Sequence, residues 1–259
     1  MSKGKYAAQT LMTECGITDP TELPLDLIVF GRGATLVEKP LQNSEGRIVF
    51  GDIKTIITIN SEIEYEGKRR FVIAHELGHY EMHRDVVAIH HDTDATLEFF
   101  KYGHHEAEAN EFASELLMPE HLFKNECAGH KFSPDLLRFL ANEFQTSITS
   151  TAYKYFEVGD HPICLFYSHN NILKYWKRPE GYPHFINDRT KLSPPQDSVA
   201  AEFFNNKTIY PKEESKQQIW KSTWFELNNR ENDNEFRFYE YCIITPKYNT
   251  VLSVVWEEQ

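Results

Sequence analysis

His75 and His79 stand four positions apart with a carboxylate between them, in the run His75-Glu76-Leu77-Gly78-His79. On a helix, such residues lie on one face, one above the other. Two imidazoles placed that way can bind one metal ion. Glu76 is offset around the helix, so it can reach a water activated by the metal instead of the metal itself. The cation lowers the pKa of that water to about 7, and the glutamate can take its proton and later pass it to a leaving nitrogen. This is chemistry that hydrolyses a peptide bond. The bland alternative is a solvent-exposed helix whose histidines do nothing. The apolar lead-in Phe71-Val72-Ile73-Ala74 opposes it, because a buried active-site helix needs such a lead-in. Gly78 leaves room for another backbone to approach.

A catalytic zinc site takes three protein ligands and keeps a fourth position open. Asp85 lies ten residues after His75, where metzincin-type sequences put their third ligand. Those sequences turn sharply at a glycine, and Met82 here favours continuing the helix. His83 lies one turn beyond His79, and a third ligand in line along one helix gives poor tetrahedral geometry. It reads as a packing residue or a support for the ligands. Glu106 is the better candidate, because Glu106 and Asn110 share a helical face. The carboxylate can complete the site while the Asn110 amide bonds the other ring nitrogen of a ligand histidine and fixes its tautomer. Glu108 and Glu111 point to other, solvated faces, with Glu108 the reserve ligand. His90, His91, Tyr102, His104 and His105 fall in the connecting loop. Each is a candidate to stabilise the oxyanion or a plain surface residue.

Elements must hold these groups in place. Residues 5–16 read as a short helix ending near Gly16, followed by turns at Pro20 and Pro24 and an apolar stretch. Residues 47–50 and 54–60 are rich in β-branched types and flank Gly51-Asp52, so they read as strands of a small sheet. Over 69–85, Phe71, Ala74, Leu77 and Gly78 recur at helical spacing. A second helix covers 106–118 and stops at Pro119. Ser133-Pro134 is an N-cap followed by proline in the first turn, opening a third helix to about Phe144, with another over 148–157. The character changes at Gly159-Asp160-His161-Pro162, which sets a domain boundary near 160. Beyond it, strand patterns flank turns at Asn170-Asn171 and Pro246–Asn249, with a helical segment around Ser198–Phe204. The class is α+β. The C-terminal part reads as a small mixed module that senses a ligand, in the manner of a GAF or PAS domain, or docks a substrate protein.

The chain of 259 residues is 41% hydrophobic and 25% charged, the composition of an ordinary globular protein. It has no apolar run of the roughly 20 residues that a spanning helix needs. Its first residues lack the apolar core of a secretory signal. The formal charge of −12 argues against non-specific binding to phosphate backbones. Cys15, Cys127, Cys164 and Cys242 form no C-x-x-C pair, as expected of free thiols in a reducing cytoplasm. One rival reading comes from residues 133–160, two helical patterns joined at Thr146-Ser147 in the manner of a helix-turn-helix. A DNA-binding or partner-binding regulator with a structural metal would follow. Arg138 and Lys154 are outnumbered there by Asp135, Glu143, Glu157 and Asp160, which opposes it.

The segments RFVIAHELGHYEMH and EAEANEFASELLMP together resemble the ImmA/IrrE family of metallopeptidases. The likeness extends over residues 20–120, through the Pro-Leu-Asp-Leu stretch and the Ile-Thr-Ile-Asn strand. The resemblance implies a zincin-like core over 1–159 and leaves 160–259 as an extension that the motifs do not describe. It implies a zinc-dependent cytoplasmic endopeptidase, with manganese as the alternative ion. The family's ligands fall on His75, His79 and Glu106, with Glu76 as general base. The implied partner is a protein substrate, a helix-turn-helix repressor in mobile-element or stress-response regulation, with neither membrane nor direct nucleic-acid contact. Zincin-like enzymes hold substrate along an exposed strand edge. On this reading, strand 54–60 either offers that edge or is an ordinary structural strand.

Overall fold

The apolar run Phe71–Ala74 lies inside a helix that extends past the periodic stretch in both directions, Glu66–Ala88 (α3). Ahead of it come α1, Lys3–Glu14, capped by the Ser2 hydroxyl, and α2, Leu25–Gly31. Strands β1 (Ala34–Lys39), β2 (Gly46–Val49) and β3 (Thr55–Asn60) form a three-stranded sheet. The single apolar stretch after Pro24 therefore divides into a helix and a strand. The arginine and glycine at 32 and 33 end the one before the other begins, and Gly33 takes a φ of 91°. The computed structural model of the chain describes residues 1–21, 23–42, 44–51, 53–88 and 103–258, with the backbone alone over 85–88.

The sheet order is β1-β3-β2, with β1 parallel and β2 antiparallel to β3. This corrects the expectation that strand 54–60 could present an exposed edge. β3 is central and hydrogen-bonded on both sides, from Ala34↔Thr55 on one and from Gly46↔Ile59 on the other. Among the described residues, the unpaired edge on the antiparallel side belongs to β2.

Beyond α3 the described chain resumes and forms α4, His104–Leu117. α3 and α1 both pack on α4, and Ile73, Ala74, Leu77, Ala109, Phe112 and Ala113 are fully buried there. At Gly78 a side chain, not a backbone, makes the close approach: a Cβ would stand 3.0 Å from Cδ1 of Phe112. Helices α5 (Glu120–Cys127), α6 (Pro134–Glu143) and α7 (Ile148–Val158) follow.

The chain groups into two compact units, Met1–Glu126 with Leu140–Ser150, and Cys127–Phe139 with Thr151–Gln259. In the second, β4 (Cys164–His169) and β5 (Ile172–Lys177) make a hairpin. Asn170 and Asn171 both take positive φ, 51° and 60°, as the tight turn requires. α8 (Val199–Asn206), β6 (Gln217–Ile219), α9 (Lys221–Trp224), β7 (Phe238–Thr245) and β8 (Thr250–Glu257) complete it. The sheet is antiparallel, ordered β5-β4-β8-β7-β6. Its core includes Phe166 stacked on Trp224 with centroids 4.1 Å apart. The fully buried Glu240 accepts a hydrogen bond from the Val199 N–H at 2.9 Å, holding the start of α8 on the sheet. No helix among the described residues is long and apolar enough to cross a membrane.

Candidate metal centre

The four-residue spacing on α3 brings the two imidazoles together, with His75 Nε2 and His79 Nε2 3.1 Å apart. The first turn of α4 supplies Glu106, whose carboxylate oxygens lie 3.2 Å from His75 Nε2 and 3.3 Å from His79 Nε2. On the other side of the first ring, Asn110 Oδ1 lies 3.0 Å from His75 Nδ1. An amide oxygen only accepts, so Nδ1 carries the hydrogen and Nε2 of the neutral ring turns a lone pair inward. Where His79 also turns its Nε2 lone pair inward, the two nitrogens and the carboxylate require a positive charge between them. A proton on His75 or a divalent cation supplies it. The donor set of two imidazole nitrogens and one carboxylate fits a catalytic metal that keeps an open position.

The protonation of these groups follows from their surroundings. Burial alone would keep His75 neutral, but its hydrogen bond to Glu106 and the charge of Glu76 raise its pKa. Burial pulls His79 the other way and prevails. Glu106 is held far below the usual carboxylate range, because the two imidazoles together outweigh its burial. Glu76 is 7% exposed, and loss of water lifts its pKa to about 7, with Glu106 adding to the rise and His75 opposing it. Its carboxylate lies against Gly46 at the start of β2.

A second group of metal-binding types lies beside the first. Glu108, which the sequence places on a solvated face, is instead bonded to the fully buried His83, with Nε2–Oε2 2.8 Å, and to Lys3 at 3.0 Å. His105 Nδ1 is 3.7 Å from the same oxygen. His83 in turn touches His79, Nδ1 to Nδ1, at 3.0 Å. Burial pushes the pKa of His83 down to about 4, against the pull of Glu108.

Of the other residues singled out in the sequence, His104 is exposed and lies 4.0 Å from Glu108 Oε1. The side chain of Asp85, and His90, His91 and Tyr102, lie outside the described residues. Gly46 and Lys3 escape a reading by motif, since both reach the site from elements distant in sequence. The only local sign is that each adjoins a pattern break, Gly46 as the first residue of a strand and Lys3 in a polar first turn.

The family model for the IrrE N-terminal-like domain (Peptidase_M78) matches residues 31–156, which include both helices of this cluster. Residues 31–156 are thereby identified as an IrrE N-terminal-like domain, the domain of the ImmA/IrrE family. No curated protein matches the sequence. Among solved structures, the chain is similar to a Mycobacterium tuberculosis transcriptional regulator. The two are 16% identical with a TM-score of 0.63, over 99% of this chain and 76% of the other. At that identity the likeness concerns the fold alone.

Proposed function

We propose that this chain, through its IrrE N-terminal-like domain, is a metal-dependent endopeptidase with a zincin-like core. The observation that carries the reading is the convergence of His75, His79 and Glu106 beside the buried Glu76. His75, His79 and Glu106 would hold a divalent ion, zinc or manganese, which would supply Lewis acidity towards a water and a peptide carbonyl. Glu76 takes the proton of the attacking water at a carboxylate oxygen and returns it to the leaving nitrogen. In the metal-free chain burial raises its pKa to about 7, above that of an exposed carboxylate. Asn110 holds His75 in the tautomer that presents Nε2 inward.

The substrate segment lies extended along the outer edge of β2, by main-chain hydrogen bonds. β2 pairs only with β3 among the described residues, and Gly46 puts its first residue beside Glu76. The target we propose is a helix-turn-helix repressor. The IrrE N-terminal-like domain supports a regulatory protein substrate, and a charge of −12 favours encounter with a basic partner. The DNA-binding alternative is disfavoured by its own cations. Lys154 is 1% exposed, and Arg138 is engaged by Asp135 at 2.9 Å.

The test pairs metal analysis of the purified chain with cleavage of helix-turn-helix repressors encoded beside it. Wild type should carry one ion and cut a repressor at one site, while Glu76→Gln should carry the ion and cut nothing. Casein should be digested slowly. Rapid, unselective digestion would make it a general peptidase, and trimming of free amino-terminal residues an aminopeptidase.

A further inference from the structure

His83, His105 and Glu108 have, by residue type, the makings of a second metal site. The hydrogen bonds between the two clusters decide against it. If His79 presents Nε2 to an ion with Glu106, its neutral ring must carry its hydrogen on Nδ1. That nitrogen is 3.0 Å from His83 Nδ1, so His83 must accept there. A neutral His83 then carries its own hydrogen on Nε2, which it donates to Glu108 Oε2 at 2.8 Å. An ion on His83 Nε2 would displace that hydrogen and oblige His83 Nδ1 to donate toward a nitrogen that has no free lone pair. Occupying one site in neutral form therefore closes the other. The carboxylate of Glu108 also has its cation already, since Lys3 Nζ is 3.0 Å from Oε2.

We infer that His83, Glu108 and Lys3 form a positioning chain for His79, running from the candidate ligand through a fully buried imidazole to a lysine on the N-terminal helix. The chain fixes which nitrogen of His79 turns its lone pair towards Glu106 and how its ring is turned. Each link has one donor and one acceptor, so the direction of every hydrogen is determined from the metal outwards. The inference rests on the metal-site reading above, and it assigns α1 a part in the site beyond packing.

The test is Zn2+ affinity of the full chain, measured by competition with a chromophoric chelator, together with the visible spectrum of the Co2+ form. His83→Leu keeps the bulk but neither accepts nor donates, and should weaken Zn2+ binding by about 10–100-fold, the usual effect of removing such a partner. His83→Gln accepts at Oε1 and donates at Nε2 across a similar span, and should recover most of that loss. Glu108→Leu, at the less buried end, should also weaken binding, and it serves if His83→Leu does not fold. Co2+ bands should shift in His83→Leu and return in His83→Gln. Unchanged affinity in His83→Leu and Glu108→Leu overturns the inference, as does equal weakening by Leu and Gln, which marks packing alone. A wild-type chain that binds two ions, one of them lost in His105→Ala, assigns the cluster to a second metal and overturns it too. A wild-type chain that binds none overturns the metal-site reading with it, whereas tight wild-type binding with indifferent variants overturns only the positioning chain.

Discussion

The carboxylate of Glu76 lies against the α-carbon of Gly46: a Cβ there would stand 2.5 Å from Glu76 Oε1 and 2.6 Å from Cγ1 of Val72. No real Cβ tolerates such approaches, so β2 sits at this distance from α3 only because residue 46 has no side chain. The free strand edge and the proposed base are thereby held together.

Gly46→Ala should consequently displace Glu76 while leaving His75, His79 and Glu106 alone. Metal content should stay at the wild-type level, while repressor cleavage should fall by about 100-fold, the cost of misplacing a catalytic group by about 1 Å. Metal content and cleavage rate measured side by side check this, and undiminished cleavage would mean that the contact has no bearing on catalysis.

Glu76 should also cost the metal-free protein stability. Its pKa of about 7 in the folded chain stands above the ordinary 4.5, so between those values the folded state holds a proton that the unfolded state has released. Stability therefore falls as pH rises through that window, and the whole penalty is present above it. At about 1.4 kcal/mol per pH unit, over a shift from 4.5 to about 7, the penalty is roughly 3–4 kcal/mol. Metal-free Glu76→Gln should be more stable than wild type at pH 8 and little different at pH 4.5. Denaturant midpoints at the two pH values read this directly, and a wild type that gains stability from pH 5 to 7 relative to the variant contradicts it.

His75→Ala, His79→Ala and Glu106→Ala should each remove bound metal, and Asn110→Ala should weaken it by about 10–100-fold by freeing the His75 ring. Asp85→Ala should bind as wild type does. If Glu106→Ala keeps full stoichiometry and Asp85→Ala does not, the third ligand has been misassigned.

The proposed boundary near residue 160 is open to truncation. Phe132 meets Trp256 with ring centroids 4.8 Å apart and Tyr155 with 5.0 Å, so a chain ending there loses an aromatic partner. It should remain soluble and bind one ion, with a lower melting temperature than the full chain. An insoluble product would show that the two segments share one folding unit.

Much of this protein is legible locally. The spacing of His75 and His79 needs only the geometry of a helix to place both on one face, and Asn170-Asn171 needs only the tolerance of asparagine for positive φ to make a hairpin turn. Pairing and burial between distant segments are another matter. That β3 is central and β2 the edge depends on β1 joining in parallel from 21 residues earlier, which no alternation within 54–60 can reveal. Glu108 reads as a solvated helix residue until α1 brings Lys3, and α3 brings His83, to the same oxygen. Glu76 is one carboxylate among many until the contact with Gly46 and the loss of water raise its pKa to about 7. The residue types and their helical spacing were set by the sequence alone. The strand edge beside them, their hydrogen-bond directions and their protonation came only with the tertiary structure, because each is a property of groups that meet through space.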